Sequence, residues 1–299
     1  MRFDVICFGA LNVDKLYKVN RIASADEESE ILDFKESPGG SAANTAVGLA
    51  RLGVKTGFIG KVATDKEGEL LIRDFIDEGV NTDGIIVSGH GRSGTVIGFV
   101  DERGERALYV DPGVNNLLEF QEIDLNYASQ ADIVHITSFV GKKPFQAQRK
   151  LIEAIPDISV TVDPGMIYAR KGLAELKPLI ERCLVFFPNE HELELLTGKE
   201  YREGAEILLE EGVKIVAVKL GARGCYVTDG EENHLIESFR VKVVDSTGAG
   251  DAFCAGFLYG IINNKTLREC GVLGNFVASR TLTKMGARNG LPKKSDLPL

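Results

Sequence analysis

A short segment near the C-terminus joins an anion-binding backbone to a carboxylate. The sequence of Asp245–Asp251 is DSTGAGD, and an apolar run typical of a helix follows it directly. At a helix start, the small residues Gly248, Ala249 and Gly250 let backbone N–H groups face outward, where unpaired donors and the helix dipole attract an anion. Asp251 then lies in the first turn, where it can take a proton from a hydroxyl that attacks a phosphoryl group. The alternative is an Asp-rich turn before an ordinary capped helix.

Two polar residues follow the first β-rich run. Asn12 and Asp14 alternate in the sequence GALNVD, so both can face one side of an emerging strand. There they could hold adjacent hydroxyls of a polyol, with the carboxylate accepting through both oxygens; a turn Asn and a surface Asp are the alternative. The segment lacks the G-x-G-x-x-G pattern of a dinucleotide fold, and the chain has no G-x-x-x-x-G-K-[ST] phosphate loop.

A glycine pair opens the next helical run. Gly39 and Gly40 permit unusual backbone dihedrals and the close approach of a ligand. Asn44 falls within the first turns of the predicted helix although Asn is a weak helix former, which favours a polar target for its side chain. A simple helix cap is the alternative.

Two later motifs suit a nucleotide. Asn189 and Glu192 follow an apolar strand at the spacing of a capping box, and the functional alternative is that they orient a hydrated Mg²⁺ that bridges nucleotide phosphates. Lys219 ends another apolar strand, which runs into a turn with Gly221 and Gly224. Such a loop can follow the phosphates and ribose of a nucleotide, or it can be an ordinary hairpin.

These residues need a scaffold, and the alternation of β-rich and helical runs predicts one. It implies an α/β fold with a doubly wound, mostly parallel sheet that helices cover on both faces. Residues 12–36 and 92–110 have strand character with no helix between, which predicts a second, small antiparallel sheet. Because ligands of open α/β folds bind beyond the carboxyl ends of the strands, this sheet would form a β lid. Residues 1–11, 37–91 and 111–299 then form the core.

Composition limits the compartment and the partners. The chain of 299 residues has 44% hydrophobic and 26% charged residues, typical of a soluble protein, and no segment approaches the run of about 18 apolar residues that spans a membrane. The N-terminus lacks signal-peptide features, and five scattered cysteines without C-x-x-C spacing indicate reduced thiols, so we expect a cytoplasmic protein. A net charge of −9 argues against a nucleic-acid surface.

In this order, the motifs resemble the signatures of the ribokinase-like (PfkB) family of carbohydrate and nucleoside kinases. The early signature is Gly39–Asn44 (GGSAAN), continuing to Gly53 and Gly60, and the late signature is Asp245–Asp251, continuing to Phe257. The resemblance covers essentially the whole chain. It implies a mostly parallel central sheet with a β lid, in agreement with the pattern above.

The resemblance also implies roles for individual residues. Asp251 resembles the catalytic base, and the backbone of residues 248–250 resembles the anion hole. The positions that match sugar-binding residues are Asn12, Asp14, Gly39, Gly40 and Asn44. The positions in the nucleotide loop or beside the adenine are Lys219, Gly221, Gly224 and Asn275. Asp245 and Thr247 match positions that hold a monovalent cation in some members, which adds K⁺ to the implied cofactors.

Some positions depart from the pattern of strict ribokinases. Ser41 follows the double glycine where they usually carry Lys, and Phe139 stands where they carry Glu. An aromatic ring near the acceptor pocket could stack on a base, so nucleosides remain possible acceptors; alternatively, the ring could pack within the lid. Asn289 and Gly290 stand where a hydroxyl side chain often completes the cation loop, whereas residues 110–115 resemble the ribokinase branch.

The predicted activity is therefore that of an ATP-dependent kinase of a small sugar. Asp251 deprotonates a hydroxyl, most readily a primary one, and Mg²⁺, organised by Glu192 and Asn189, shields the phosphates. A nucleoside kinase on the same scaffold is the nearest alternative, and a catalytically silent sugar- or nucleotide-binding regulator is a rival of another class. The apolar lid strand 95–100 further predicts pairing with a second copy of the chain as a homodimer.

Overall fold

The computed structural model describes residues 2–103 and 105–298. Gly104, in the predicted lid, and the terminal residues Met1 and Leu299, in the predicted core, lie outside the described residues. The strands are β1 (Phe3–Phe8), β2 (Asn12–Val19), β3 (Ile31–Gly39), β4 (Thr56–Ala63), β5 (Ile85–Ser88), β6 (Gly94–Val100), β7 (Arg106–Asp111), β8 (Ala131–Thr137), β9 (Ser159–Asp163), β10 (Cys183–Phe186), β11 (Ile215–Lys219), β12 (Cys225–Thr228) and β13 (Asn233–Ile236). The α-helices are α1 (Ser41–Arg51), α2 (Lys66–Asp77), α3 (Leu125–Ala128), α4 (Lys142–Ala154), α5 (Gly165–Ala169), α6 (Leu173–Ile180), α7 (Glu190–Thr197), α8 (Tyr201–Glu210), α9 (Ala249–Ile262) and α10 (Leu267–Thr281).

A mostly parallel sheet forms the centre of the core. Within the described residues it has nine strands, in the order β13-β12-β11-β10-β9-β8-β1-β4-β5. The strands from β11 to β5 run parallel, and β12 and β13 add antiparallel pairs at one edge. The chain builds outward in one direction from β1 to β5 and in the other from β8 to β11, so the order reverses beside β1. Such a switch point opens a crevice at the carboxyl ends of the strands, where ligands of α/β folds bind.

Apolar residues on both faces of this sheet explain why helices cover both. Along β1, Val5 and Cys7 pack on one face with residues of α1, α2, α9 and α10, whereas Ile6 and Phe8 pack on the other with residues of α4 to α8. Full burial of a side chain such as Ile or Phe stabilises a fold by roughly 1.5–3 kcal/mol, so a strand that is apolar on both sides needs both layers. The predicted doubly wound α/β fold is confirmed.

The lid is a separate sheet, and within the described residues it has four strands in the order β3-β2-β6-β7. These strands fall in the two predicted segments, although β3 and β7 each run past the predicted boundary. The prediction of a wholly antiparallel sheet is wrong, because β2 pairs with β6 in parallel. The apolar run 95–100 lies in β6, which β2 and β7 flank, so it is an interior strand and not an edge that could pair with another chain.

Two further features bear on the sequence analysis. Across the described residues, no helix is long and apolar enough to cross a lipid bilayer. All five cysteines lie in the described part of the chain, and each is a buried, free thiol. Burial of a Cys in apolar surroundings is typical of a structural residue that packs as a small hydrophobe.

Candidate active site

Asp251 is held at the start of α9 by two side chains from the start of α1. Ser41 Oγ donates a hydrogen bond to Asp251 Oδ1 at 2.6 Å, and Asn44 Nδ2 donates to Oδ2 at 2.8 Å. Burial raises the pKa of Asp251 to about 6, although both hydrogen bonds favour the carboxylate. A carboxylate that is fixed in place and titrates near neutrality has the properties of a general base.

Gly248 turns the chain into α9. Its φ of 78° lies in the left-handed region, and a Cβ at this position would lie 2.8 Å from Ala287 Cα. A helix start leaves its first N–H groups without carbonyl partners inside the helix. The Ala249 N–H donates to the Ser246 carbonyl at a long 3.3 Å, and the first bond of the helix runs from the Ala252 N–H to the Gly248 carbonyl at 2.9 Å. The anion-binding geometry that the sequence predicts therefore rests on a glycine that no other residue could replace without strain.

Lys219 brings a positive charge to this first turn of α9. It ends β11, and a Cβ on Gly250 would lie 3.6 Å from its Nζ. Its ammonium pairs with Asp163 Oδ2 at 2.7 Å, and Cys254 Sγ lies 3.4 Å from the same oxygen. Burial opposes the charge of Lys219, but the attraction of Asp163 prevails and raises its pKa above the ordinary value. Lys219 is therefore a permanent cation beside the turn that the sequence predicts to bind an anion.

These groups line one cavity of about 360 Å³. They come from the ends of β9 and β11 and from the starts of α1, α7 and α9, where the carboxyl ends of the parallel strands open. The lining residues are Ser41, Asp163, Gly165, Asn189, Glu192, Lys219, Gly221, Gly250 and Asp251. Asp163 was not among the residues predicted from the sequence. The available signal was a carboxylate that ends a buried parallel strand directly before a Pro-Gly turn.

Glu192 and Asn189 form the capping box that their spacing predicts. Asn189 Oδ1 accepts from the Glu192 N–H, and Glu192 Oε2 accepts from the Asn189 N–H, both at 2.8 Å. Glu192 is only 5% exposed, and burial raises the pKa of its carboxyl group. The cap uses one carboxylate oxygen, and Glu192 still lines the cavity with Asp163. The structural and the functional alternatives for this motif are therefore compatible.

The oxygen ligands in this cavity fit Mg²⁺. Mg²⁺ commonly binds through one or two carboxylates and completes its shell with phosphate oxygens and water. Glu192 and Asp163 supply two carboxylates, and Asn189 lies beside them. The described residues contain no group of three or more His, Cys, Asp or Glu side chains that could hold a metal ion by themselves.

A second cavity, of about 520 Å³, shares Lys219, Gly221 and Gly250 with the first. Four of the residues predicted to contact the nucleotide line it: Lys219, Gly221, Gly224 and Asn275. Its apolar lining includes Phe239, Val241, Val243, Phe253, Ala278 and Leu282. Asn275 Nδ2 donates to the backbone carbonyls of Ile236 and Glu237, at 3.0 and 3.2 Å, and so ties the end of β13 to α10. A mostly apolar cleft with few polar groups is typical of small-molecule sites and can take a nucleobase.

Asp14 lies on the lid strand β2, next to the glycine pair. A Cβ on Gly39 would lie 2.3 Å from Asp14 Oδ2, so this position must be glycine for the carboxylate to stay. Gly40 has a φ of 104°, and a Cβ there would lie 2.3 Å from the Ala10 carbonyl oxygen. Burial raises the pKa of Asp14 to about 6, and Arg288 opposes the rise. Within the described residues the Asp14 carboxylate accepts no hydrogen bond, so it can accept one from a ligand.

Asn12, the other polar residue predicted at this point, has a partner in the protein. Its Oδ1 accepts from Asn115 Nδ2 at 3.1 Å. Asn115 also exchanges hydrogen bonds with the backbone of Leu11, where the chain leaves the core for the lid. Asn12 therefore lies at the junction of lid and core, in a network that the sequence did not predict.

Asn44 uses both ends of its amide within the protein. Its Nδ2 binds Asp251, and its Oδ1 accepts from Arg288 Nε at 2.8 Å. Arg288 also donates through Nη1 to the Asp74 carboxylate. Like Asp163, Arg288 was not predicted as a site residue. It immediately follows Ala287, which packs against Gly248, and that closeness is visible only in the fold.

Phe139 does not occupy the place predicted for it in the acceptor pocket. The residue is 1% exposed, and its ring packs edge-on against Phe8 with the centroids 5.8 Å apart. It belongs to the hydrophobic core on the α4 to α8 face of the large sheet. A ring that is enclosed in this way offers no face to a ligand, so it gives no support to stacking on a nucleobase.

Asp245 and Thr247 form a hydrogen-bonded turn before α9. Asp245 Oδ1 accepts from the Thr247 N–H at 3.0 Å and from its hydroxyl at 2.7 Å, and Oδ2 accepts from the Gly286 N–H at 2.7 Å. This clamp joins the turn to the loop that contains Ala287. The cation-binding role that the resemblance implies stays a prediction, because these hydrogen bonds by themselves explain the position of the carboxylate.

Comparisons with known proteins point to one group of enzymes. Residues 2–294 match the pfkB family of carbohydrate kinases. An uncharacterized sugar kinase from Archaeoglobus fulgidus is 47% identical over 253 residues, which are 84% of this chain and 100% of that protein. An ATP-dependent ribose-1-phosphate kinase from Halopiger xanaduensis is 33% identical over 95% of this chain and 94% of that protein. The crystal structure of a Thermotoga maritima ribokinase is 27% identical, with a TM-score of 0.88 over 98% of this chain and 97% of that chain.

Proposed function

The chain belongs to the pfkB family of carbohydrate kinases, and from this premise we propose that it transfers the γ-phosphate of ATP to a hydroxyl of a small sugar. The observation that carries the proposal is the convergence of Asp251, Lys219 and the first turn of α9 on one cavity. A base, a cation and an anion-binding turn are the protein groups that phosphoryl transfer to a hydroxyl uses.

Asp251 accepts the proton of the attacking hydroxyl. Ser41 and Asn44 already orient its carboxylate, so the base needs no reorganisation when the O–H bond breaks. As the new bond to the γ-phosphorus forms and the bond to ADP breaks, negative charge develops on the phosphoryl oxygens. The N–H groups at the start of α9 and the ammonium of Lys219, which border the same cavity, would stabilise that charge.

The cofactors of the proposed reaction have candidate ligands. Mg²⁺, when bound, neutralises phosphate charge, and Glu192, Asp163 and Asn189 are the residues that would hold it and its waters. Asp245 and Thr247 are the candidates for K⁺, as an activating ion at the turn before α9. ATP as the donor is supported by the name of the Halopiger relative and by the apolar cleft beside Lys219.

The acceptor cavity favours a ligand that carries hydroxyls. Asp14 lacks a hydrogen-bond donor in the described part of the chain, and Arg288 Nη2, from the lining of the same cavity, is buried without a partner. A hydroxyl can donate to the carboxylate and accept from the guanidinium at once. Two of the basic side chains of this lining are neutralised, Arg51 by Glu78 and Arg288 by Asp74. An uncharged sugar therefore fits the cavity better than an anion, and ribose 1-phosphate, named for the Halopiger relative, is the competing acceptor.

Within the described residues β7 is an edge strand of the lid, and it supports the proposal of a homodimer, whereas strand 95–100, which lies inside the sheet, does not. Leu108, Tyr109 and Val110 of β7 are 56%, 63% and 52% exposed. Exposed apolar patches of this kind commonly mark protein interfaces. The five free thiols support the cytoplasm as the location, because a reducing compartment keeps cysteines in this state.

Release of ADP with a panel of acceptors tests the proposal. The panel contains free pentoses and hexoses, ribose 1-phosphate, adenosine, inosine and cytidine, each with ATP and Mg²⁺. We expect a free sugar to give the highest kcat/KM, and the Asp251→Asn variant to serve as the inactive control. A nucleoside that exceeds every sugar would favour the nucleoside kinase, and the absence of acceptor-dependent ADP release would favour the silent regulator.

A further inference from the structure

We propose that Arg288 is a positioning residue for Asp251 and that it acts through the side-chain amide of Asn44. The proposal deepens the proposed function and rests on it, because Asp251 is the base there. Arg288 lies on the loop after α10, 244 residues from Asn44 in the sequence. Neither the sequence pattern nor the family resemblance assigns a task to this arginine.

The amide of Asn44 has a donor end and an acceptor end, and its orientation decides what Asp251 meets. Arg288 Nε can only donate, and it lies 2.8 Å from Asn44 Oδ1. The donor end, Nδ2, then faces Asp251 Oδ2 at 2.8 Å. A flipped amide would set its NH₂ group against the guanidinium and its oxygen against the carboxylate, so both contacts would become repulsive. Arg288 therefore selects the orientation in which Asn44 holds the base.

Arg288 is itself held in place by residues of α2. Its Nη1 donates to the Asp74 carboxylate of α2, and its guanidinium carbon lies 5.8 Å from the centre of the Phe75 ring. The planar guanidinium makes both hydrogen bonds from one rigid fork, which a Lys ammonium cannot reproduce. A continuous set of contacts thus runs from α2 through Arg288 and Asn44 to Asp251. Each member is buried or half-buried, so water does not readily replace the bonds.

This arrangement has a measurable consequence for the carboxyl group of Asp251. Burial raises its pKa, and the hydrogen bond from Asn44 acts in the opposite direction. When the amide loses its fixed orientation, that hydrogen bond weakens and the pKa rises further. Asp163 and Lys219 also face Asp251, from β9 and β11, and they stay unchanged in the variants below. Asp74, Glu78 and Asp14 face Arg288, and a Lys at this position keeps the positive charge that acts on them.

The test is a titration of the free protein that needs no substrate. The pKa of Asp251 is measured by ¹³C NMR on protein labelled at the aspartate carboxyl carbons, with Asp251→Asn to assign the resonance. Arg288→Lys keeps the positive charge and removes the fork. We expect it to raise the pKa by roughly half a unit to one unit, the scale of one hydrogen bond to a carboxylate. In an Asn44→Ala background the same change should have little further effect, because the two residues act as one unit.

Two controls separate positioning from general loosening of the structure. Arg51→Lys alters another partly buried arginine that pairs with Glu78 and donates to the Arg288 carbonyl, but it does not touch Asn44, so the pKa should stay unchanged. Asp74→Asn keeps Arg288 and releases its anchor; it should give a smaller rise, and it replaces Arg288→Lys if that variant does not fold. The acid limb of kcat against pH should move with the NMR value.

Three results would overturn the proposal. They are an unchanged pKa in Arg288→Lys, an equal shift in the presence and absence of Asn44, and an equal shift in Arg51→Lys. Because the titration uses no acceptor, a failure to find phosphoryl transfer would refute the proposed function alone, and the pKa measurements would still decide the role of Arg288.

Discussion

Replacing Asp251 with Asn removes a charge and keeps the shape of the side chain, so it separates base chemistry from folding. Asn44 Nδ2 can only donate to this residue, because Arg288 holds the other end of the amide. The Ser41 hydroxyl can either donate or accept. In the Asp251→Asn variant the new amide oxygen therefore faces Asn44 and the new NH₂ faces Ser41. The hydrogen bonds survive, and the variant should fold and still bind nucleotide.

We expect opposite effects of Asp251→Asn on rate and on stability. Loss of a general base lowers kcat by on the order of 10²–10⁴. The carboxylate lowers stability, because folding raises the pKa of Asp251 from 3.8 to about 6. At about 1.4 kcal/mol per pKa unit, the ionised form reduces the free energy of unfolding by up to about 3 kcal/mol. The native state binds the proton more tightly, so this contribution makes the wild type less stable as the pH rises from about 4 to about 6, with no further change above. The variant should thus gain most at about pH 8 and little at about pH 4.

Urea unfolding of both proteins at about pH 5 and about pH 8 measures the difference, and ADP release gives kcat. Ser41→Ala is the matched control, since it removes one hydrogen bond to Asp251 and leaves the carboxylate. A wild-type kcat in Asp251→Asn would show that Asp251 is only a helix-start carboxylate. A gain in stability that is equal at both pH values would show that folding does not raise the pKa of Asp251, and the magnitude above would be wrong.

The other predictions concern pH, the acceptor, the core and the lid. The kcat of the wild type should decline as the pH falls through about 6, because burial raises the pKa of Asp251 to about 6 and the base must be deprotonated; a profile that is flat to about pH 4.5 would contradict this. Asp14→Ala should raise KM for the acceptor by the factor that corresponds to a loss of roughly 1.5–3 kcal/mol of binding free energy, and it should leave KM for ATP nearly unchanged. An equal rise in KM for ATP would show that Asp14 does not belong to the acceptor site. Phe139→Ala should destabilise the fold by about 3–5 kcal/mol and leave the preference between sugars and nucleosides unchanged; a selective loss of nucleoside turnover would restore the stacking hypothesis. If the proposed homodimer forms through β7, Leu108→Glu should convert it to a monomer in light scattering, and a monomeric wild type would contradict the proposed lid interface.

The candidate base and the turn proposed to bind an anion could be picked out from the sequence because both lie in one short segment. Gly248, Gly250 and Asp251 are consecutive or nearly so, and the helix that follows fixes their relative geometry. The same holds for Asn189 and Glu192, whose spacing already specifies the capping box. Arg288 and Asp163 reach the site from remote parts of the chain. Their partners are set by how the loop after α10 and the end of β9 pack, which local patterns do not encode.

The direction of side chains and the pairing of strands also could not be predicted from the sequence. Phe139 follows a buried strand, and the sequence left open whether it stacks on a base or packs in the lid; its ring instead packs in the core against Phe8. The lid segments were identified from their strand character, yet nothing in either segment specifies that β2 and β6 run parallel. The short strands β5 and β13 went unpredicted, since each has four residues with little burial and no clear alternation.

The division of the proposed acceptor site between the lid and the core has a consequence for the order of events in turnover. Asp14 belongs to the lid strand β2, whereas Asp251 belongs to α9 of the core. A sugar that binds both would tie the lid to the core, whereas ATP in the proposed nucleotide site would contact only core elements. We expect bound ATP to become reactive only after the acceptor has bound, so that ATP bound alone is not hydrolysed. Without the sugar the lid and the core are not tied together, and hydrolysis of ATP by water is therefore slow.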